Sequence, residues 1–403
     1  MAALSAVRWY GVLKHDEDAR VITVVNNPGL SREAMQETLD ILTRMIVSHG
    51  WSPPILLDDQ DMSEFSGSSA GGTVSYREVL RRFRCKLGVN HVDEIYYAHD
   101  IGGRVPELTM NAFPMAERIM FGDGLGSVYN KTYHMALVTG ASLEQARQAL
   151  RKKHQVQGAK RRFSLRGIRS FVKKLIRDKW LGSPKPFQAD KAVLILPMDQ
   201  TGTSLEGMEL IVVPKQQVQE VIAGCQKSLP DLVEYIIGLL ADGSGPFYLI
   251  LLANIADGNL TSKENETGLY EEIIRRHVPP QSTVFIKGHP LSVAPVDEML
   301  CERLAGNYFP KVLSHKFSRY PIELWSDLIG ACTMIGVSYS VISLAFLYDI
   351  RVVFPFDDVL IEKYIPSRFW DFYKDADRLY RGQLENLKDW DGRSVLWEGH
   401  IDQ

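Results

Sequence analysis

The chain has 403 residues and a formal net charge of −3, with 45% hydrophobic and 24% charged residues. That balance is ordinary for a globular protein and excludes a largely disordered one. The length exceeds what one hydrophobic core usually serves, so two domains are expected.

No basic stretch followed by a long apolar one opens the sequence, and no run of about 18 uncharged apolar residues occurs. The longest apolar run, near 233 to 241, is too short to span a bilayer. The expected location is cytoplasmic, or peripheral at the inner face of the cell membrane. Cys85, Cys225, Cys301 and Cys332 show no C-x-x-C spacing and no neighbouring His cluster, so reduced thiols are expected rather than a zinc or redox site.

In chain order, "ARVITVVNN" reads as a strand. Ser31 then caps a helix, "REAMQETLDILTRMIVSHG", whose apolar positions recur at three and four and which ends at Gly50. Next come the strand "PPILLDD", a Ser/Gly-rich loop, a helix near "YREVLRRFRCKLG", and the strands "DEIYYAHD" and "RIMFGDG". Beyond a basic segment lie the strands "KAVLILPMD" and "MELIVVP" and a helical stretch that breaks near 243 to 245. Alternation then restarts through the strands "FYLILLANI", "STVFIKGH", "FPKVLSH", "CTMIGVS" and "RVVFPF", each separated by a helical pattern.

Strand-helix alternation with short connections predicts an α/β protein of two Rossmann-like, doubly wound domains. The boundaries fall at 1–242 and 246–403.

Ligands of such sheets bind beyond the carboxyl ends of the strands. Four places qualify: Asp100 after "DEIYYA", Asp123 in "GDG", His289 in "KGHP", and Ser338 with Ser340 in "VSYS". Asp123 is a candidate general base if a cleft raises its pKa; a turn-forming Asp-Gly is the plainer reading. His289 follows Lys287 and Gly288 and is locked by Pro290, a position suited to an acid or to an anion's partner, although an isolated histidine is more often structural. Ser338 and Ser340 open a helix whose free N–H groups favour anions, with N-capping by one serine as the alternative.

The dinucleotide and P-loop motifs are absent. The acid pairs Asp58-Asp59 and Asp357-Asp358 serve as metal ligands or as exposed turns.

Residues 151–181 stand apart. From Arg151 to Lys179 there are twelve Lys or Arg against one acid, Asp178. A helix here would gather Leu165, Ile168, Val172, Leu175 and Ile176 on one face, with Arg166, Arg169, Lys173, Lys174 and Arg177 around the rest. Such a helix suits an anionic membrane surface or a polyanionic chain. Nucleic acid is not the expected partner, because aromatic interleaving is thin and no recognition motif accompanies the charge.

Taken in order, "GDG" at 122–124, "KGHP" at 287–290 and the paired serines resemble the three motifs of bacterial sialyltransferases, closest to the capsule polysialyltransferase group. Two departures stand out: Gly122 occupies the place of a first acid, and Tyr339 separates the serines.

The resemblance implies a GT-B fold with an acceptor-binding N-terminal domain and a donor-binding C-terminal one. It further implies metal-independent inverting transfer of sialic acid from CMP-sialic acid to a glycan, lipid-linked or polyanionic, with no cofactor. By it, Asp123 deprotonates the acceptor and His289 takes the phosphate of departing CMP. Ser338 and Ser340 hold the same phosphate, with Lys287, Gly288 and Pro290 framing the histidine. Asn254 and Glu323 approach the cytidine or sugar, and Asp100 and Gly124 line the acceptor side. A CMP-Kdo or other CMP-nonulosonate transferase, and an inactive saccharide-binding assembly protein on a membrane, are the alternatives.

Overall fold

The computed structural model describes residues 1–11, 20–25, 32–65, 68–69, 72–73, 75–98, 104–122, 145, 189–198, 205, 208–290, 292, 295–388 and 396–397. Its strands are β1 (Val24–Val25), β2 (Ile55–Leu56), β3 (Ser68–Ser69), β4 (Gly72–Thr73), β5 (Glu94–Ala98), β6 (Glu117–Gly122) and β7 (Lys191–Leu194). They continue as β8 (Glu209–Val212), β9 (Phe247–Leu251), β10 (Thr283–Lys287), β11 (Phe309–Val312), β12 (Thr333–Gly336), β13 (Val352–Val353) and β14 (Leu396–Trp397).

Two five-stranded sheets organise the chain. In the first, β5, β6, β7 and β8 run parallel in chain order, and β14 closes the β8 edge antiparallel. In the second, all five strands are parallel in the order β11-β10-β9-β12-β13. Numbered from its own first strand that order is 3-2-1-4-5, the doubly wound arrangement, so the α/β class expected from the alternation is the observed one. The parallel pair β1–β2 lies beside a smaller core of Leu57, Phe65, Val79, Phe83, Ile95 and Leu108.

Local sequence explains the elements. All five residues of β10 are buried, as are the last three of β9, which suits near-continuous apolar runs covered on both faces. The helix Tyr76–Leu87 starts where Ser75 Oγ accepts the Glu78 N–H at 3.2 Å and stops at Gly88, whose φ of 68° favours glycine.

The acid pairs turn out to be caps. Asp58 forms a reciprocal capping box with Asp61, and Asp357 Oδ1 accepts the Leu360 N–H at 2.8 Å.

The domain division needs one correction. The helix Pro230–Ala241 ends just before β9, but the chain does not stay in the second unit to its end. Gln383, in the helix Trp370–Lys388, donates to Pro197 O at 2.6 Å, and β14 then pairs Leu396 with Ile211 and Trp397 with Leu210. The last segment thus completes the first sheet. Antiparallel pairing there covers an edge that β8 would otherwise leave open.

The candidate donor-binding edge

In an open parallel sheet the crevice opens where strand order reverses, here between β9 and β12. His289 follows β10, Asn254 follows β9, and Ser338 and Ser340 follow β12. With neighbouring strands about 4.8 Å apart, the β10 and β12 ends flank the β9 loop at roughly 10 Å from each other. Residues 254, 289, 338 and 340 therefore share one sheet edge.

The β9 loop is built with care. Asn254 adopts φ 56°, in the left-handed region, and its Oδ1 is buried without a hydrogen-bond partner. Three bonds from the helix Lys263–His277 hold the surrounding backbone. Glu266 accepts the Ile255 and Ala256 N–H groups at 3.1 and 2.7 Å, and Tyr270 Oη accepts the Ala253 N–H at 2.8 Å. Glu266 is 1% exposed, and burial raises its pKa against the pull of those two donors. A buried acceptor left open at the mouth of a parallel sheet is a place for a ligand donor.

The β10 turn is equally fixed. Gly288 has little room for a side chain, since a Cβ would lie 3.1 Å from Asp297 Oδ2. Ser292 Oγ donates to Asp257 Oδ2 at 3.0 Å, which ties the turn to the β9 loop.

Lys287, 5% exposed, donates from Nζ to Ser318 O at 2.7 Å, and burial brings its pKa down to about 8 while Glu323 opposes that fall. Burial also lowers the pKa of His289; Lys287 adds to the effect and Asp257 opposes it. The imidazole is therefore neutral near pH 7, a donor from one nitrogen and an acceptor at the other. Gly288, His289, Ser292, Asp297, Ser318 and Arg319 line a cavity of about 190 Å³.

The serines do not cap their helix. Ser340–Tyr348 begins after Tyr339 without a side-chain cap, and Ser338 Oγ and Ser340 Oγ lie 2.8 Å apart, bonded to each other. The capping alternative is thus absent. Gly336 lets this helix approach, because a Cβ there would lie 2.4 Å from Val341 Cγ2. Glu323, half-buried, presents its backbone oxygen to the Tyr348 hydroxyl of the same helix.

Every buried charged residue among the described residues, Glu266, Lys287 and Asp297, belongs to this edge. Burying charge is costly, so its concentration at one place marks the edge as built for more than folding.

Asp100, Asp123 and Gly124, and the basic residues Arg166, Arg169, Lys173, Lys174 and Arg177, lie outside the described residues; β5 ends at Ala98 and β6 at Gly122. Among the described residues no group of three or more His, Cys, Asp or Glu is placed to hold a metal ion. No helix among them is long and apolar enough to cross a membrane.

Sequence reading missed Glu266, Tyr270, Asp257 and Ser292. The first two look like ordinary members of an acid-rich amphipathic helix, and only the fold brings them under the β9 loop.

No family model matches the chain, and no curated protein does. Among solved structures the chain is similar to the UDP-GlcNAc 2-epimerase of Methanocaldococcus jannaschii, at a TM-score of 0.37 and 11% identity over 93% of this chain and 94% of that one.

Proposed function

We propose that this chain is a GT-B-type glycosyltransferase that moves a sugar acid, most simply sialic acid, from its CMP-activated form to a glycan hydroxyl. The observation that carries the reading is the shared edge of β9, β10 and β12. There the KGHP histidine and the paired serines flank a strained loop pinned by buried charges.

The acceptor oxygen attacks the anomeric carbon, and Asp123 takes the hydroxyl proton. The bond from that carbon to the phosphate oxygen breaks on the opposite face, inverting the centre. CMP departs with added negative charge, which His289, Ser338 and Ser340 meet with hydrogen-bond donors. An imidazole that is neutral in the free protein gains a proton readily when this anion arrives, because opposite charge favours the imidazolium.

The basic segment 151–181 brings the enzyme to an anionic membrane surface or polysaccharide. Loss of vesicle binding on deleting residues 160–181 would support that part, and unchanged binding would remove it.

The decisive test is nucleotide selectivity. CMP, but not UDP or ADP, raises the unfolding temperature, since a ligand that binds only the folded state stabilises it. No shift with CMP refutes the transferase reading and favours a non-catalytic saccharide-binding role. Nucleotide release from CMP-sialic acid and CMP-Kdo then separates the donors, and Asp123→Ala and His289→Ala each abolish it in a folded protein.

A further inference from the structure

The cavity beside His289 contains one permanent cation, Arg319. Its guanidinium pairs with the carboxylate of Glu37, which sits on the helix Arg32–Val47 of the first unit. Pairing with a carboxylate is what a planar guanidinium does best.

The residues on either side of Arg319 are held independently of that pair. Ser318 O accepts from Lys287 Nζ at 2.7 Å, and Tyr320 Oη accepts from Arg44 Nη1 at 3.3 Å. Phe317, two residues earlier, stacks on Tyr235 with ring centroids 4.5 Å apart. Arg319 therefore keeps its place whether or not Glu37 is present.

Glu37 has no such anchorage. Its side chain is 64% exposed against 30% for Arg319, and ion pairs at this exposure are weak. A ligand carboxylate entering the cavity displaces it at small cost.

At about 190 Å³ the cavity is smaller than the roughly 300–1,000 Å³ that encloses a whole drug-sized ligand, so it takes one part of a larger molecule. The rest of its lining includes Ser292, Asp297 and Glu298, acceptors for hydroxyl groups. One cation among hydroxyl acceptors is the complement of a polyhydroxylated acid.

We infer that Arg319 binds the carboxylate of the donor sugar acid and that Glu37 holds its place in the unliganded protein. This rests on the transferase reading, but assigns the sugar's charge to a residue outside the three motifs. His289 and the serines address the phosphate, whereas Arg319 distinguishes a CMP-linked acid from CMP alone.

The test is calorimetric titration of CMP, CMP-sialic acid bearing a transfer-resistant 3-fluoro group, and the methyl ester of that analogue. Wild-type protein binds the acid at least tenfold more tightly than the ester. Arg319→Ala removes that difference and leaves CMP affinity unchanged; Arg319→Lys, which keeps charge without the fork, restores part of it. Glu37→Gln, by freeing the guanidinium, tightens the acid and not the ester.

Equal weakening of CMP and the acid in Arg319→Ala, or no change in either, overturns the assignment while leaving the transferase reading in place. Failure of wild-type protein to bind CMP overturns both.

Discussion

Replacing Asn254 by glycine separates two things that the β9 loop combines. A non-glycine residue held at φ 56° carries strain on the order of 1–3 kcal/mol, asparagine at the lower end, and glycine removes it. The added freedom of glycine in the unfolded chain offsets part of that gain, so Asn254→Gly melts within a degree or two of wild type. What it does lose is the buried, unpartnered Oδ1.

If that oxygen accepts a hydrogen bond from the nucleotide, its removal costs about 0.5–1.5 kcal/mol, or roughly 2- to 13-fold in CMP affinity. Glu266→Gln attacks the same loop from beneath. It turns one acceptor into a donor facing a backbone N–H, and an unsatisfied buried donor costs about 1–3 kcal/mol. Because Glu266 acts on binding through Asn254, the double variant binds CMP no more weakly than the worse single one. Calorimetric titration of the four proteins decides the matter. Wild-type CMP affinity in Asn254→Gly, or fully additive losses, would refute this account of the loop.

His289 gives a pH prediction: its free pKa is lowered and a bound phosphate raises it, so CMP affinity is highest below the free value and falls as pH rises through the bound one. Subtracting the His289→Gln profile removes the phosphate's own titration and should leave that slope; a flat difference refutes the contact. Gly336→Ala forces a methyl against Val341 and costs about 1–3 kcal/mol in denaturant unfolding, with weaker CMP binding as the serine-bearing helix is displaced. Thiol labelling of the native protein should reach exposed Cys85 first, whereas Cys225 and Cys332, pushed up by burial to about 11 and about 12, stay silent until unfolding. Arg44→Ala breaks the partly exposed pair with Asp231 and the bonds to Ser228 O, costing about 0.5–1 kcal/mol after solvent screening. Arg44 lowers the Asp231 pKa, so the pair's contribution is full above the ordinary carboxylate value and fades as pH falls through the folded one, which acid unfolding of both proteins should show.

Strands of the second sheet were legible because their physics is local. "TVFIK" is apolar along its length since both faces are covered, and a Gly-His-Pro turn can follow it only as a break. Caps were half legible: an acid before a helix is a standard first acceptor, yet Asp58-Asp59 and Asp357-Asp358 read equally well as metal ligands until their bonds are seen. The return of β14 to the first sheet was not legible. Two residues paired antiparallel with β8 leave no periodicity, and the pairing is decided by an edge nearly two hundred positions earlier in the chain. Glu266 was hidden for a related reason, because an acid in a first helical turn already has an explanation in the helix dipole.

Three buried charged groups converge on the candidate edge. Glu266 holds the loop after β9, Lys287 holds the turn that carries Arg319, and Asp297 lies against Gly288, the residue before the histidine. Each buries a charge that an apolar residue of similar volume would spare, and such replacements often leave stability unharmed. A fold selected for stability alone has no reason to gather all three on adjoining loops of two strands. A fold that must keep an imidazole, a guanidinium and an amide oxygen in register around an anionic ligand does, because bonds with fixed direction define loop positions that apolar packing leaves loose.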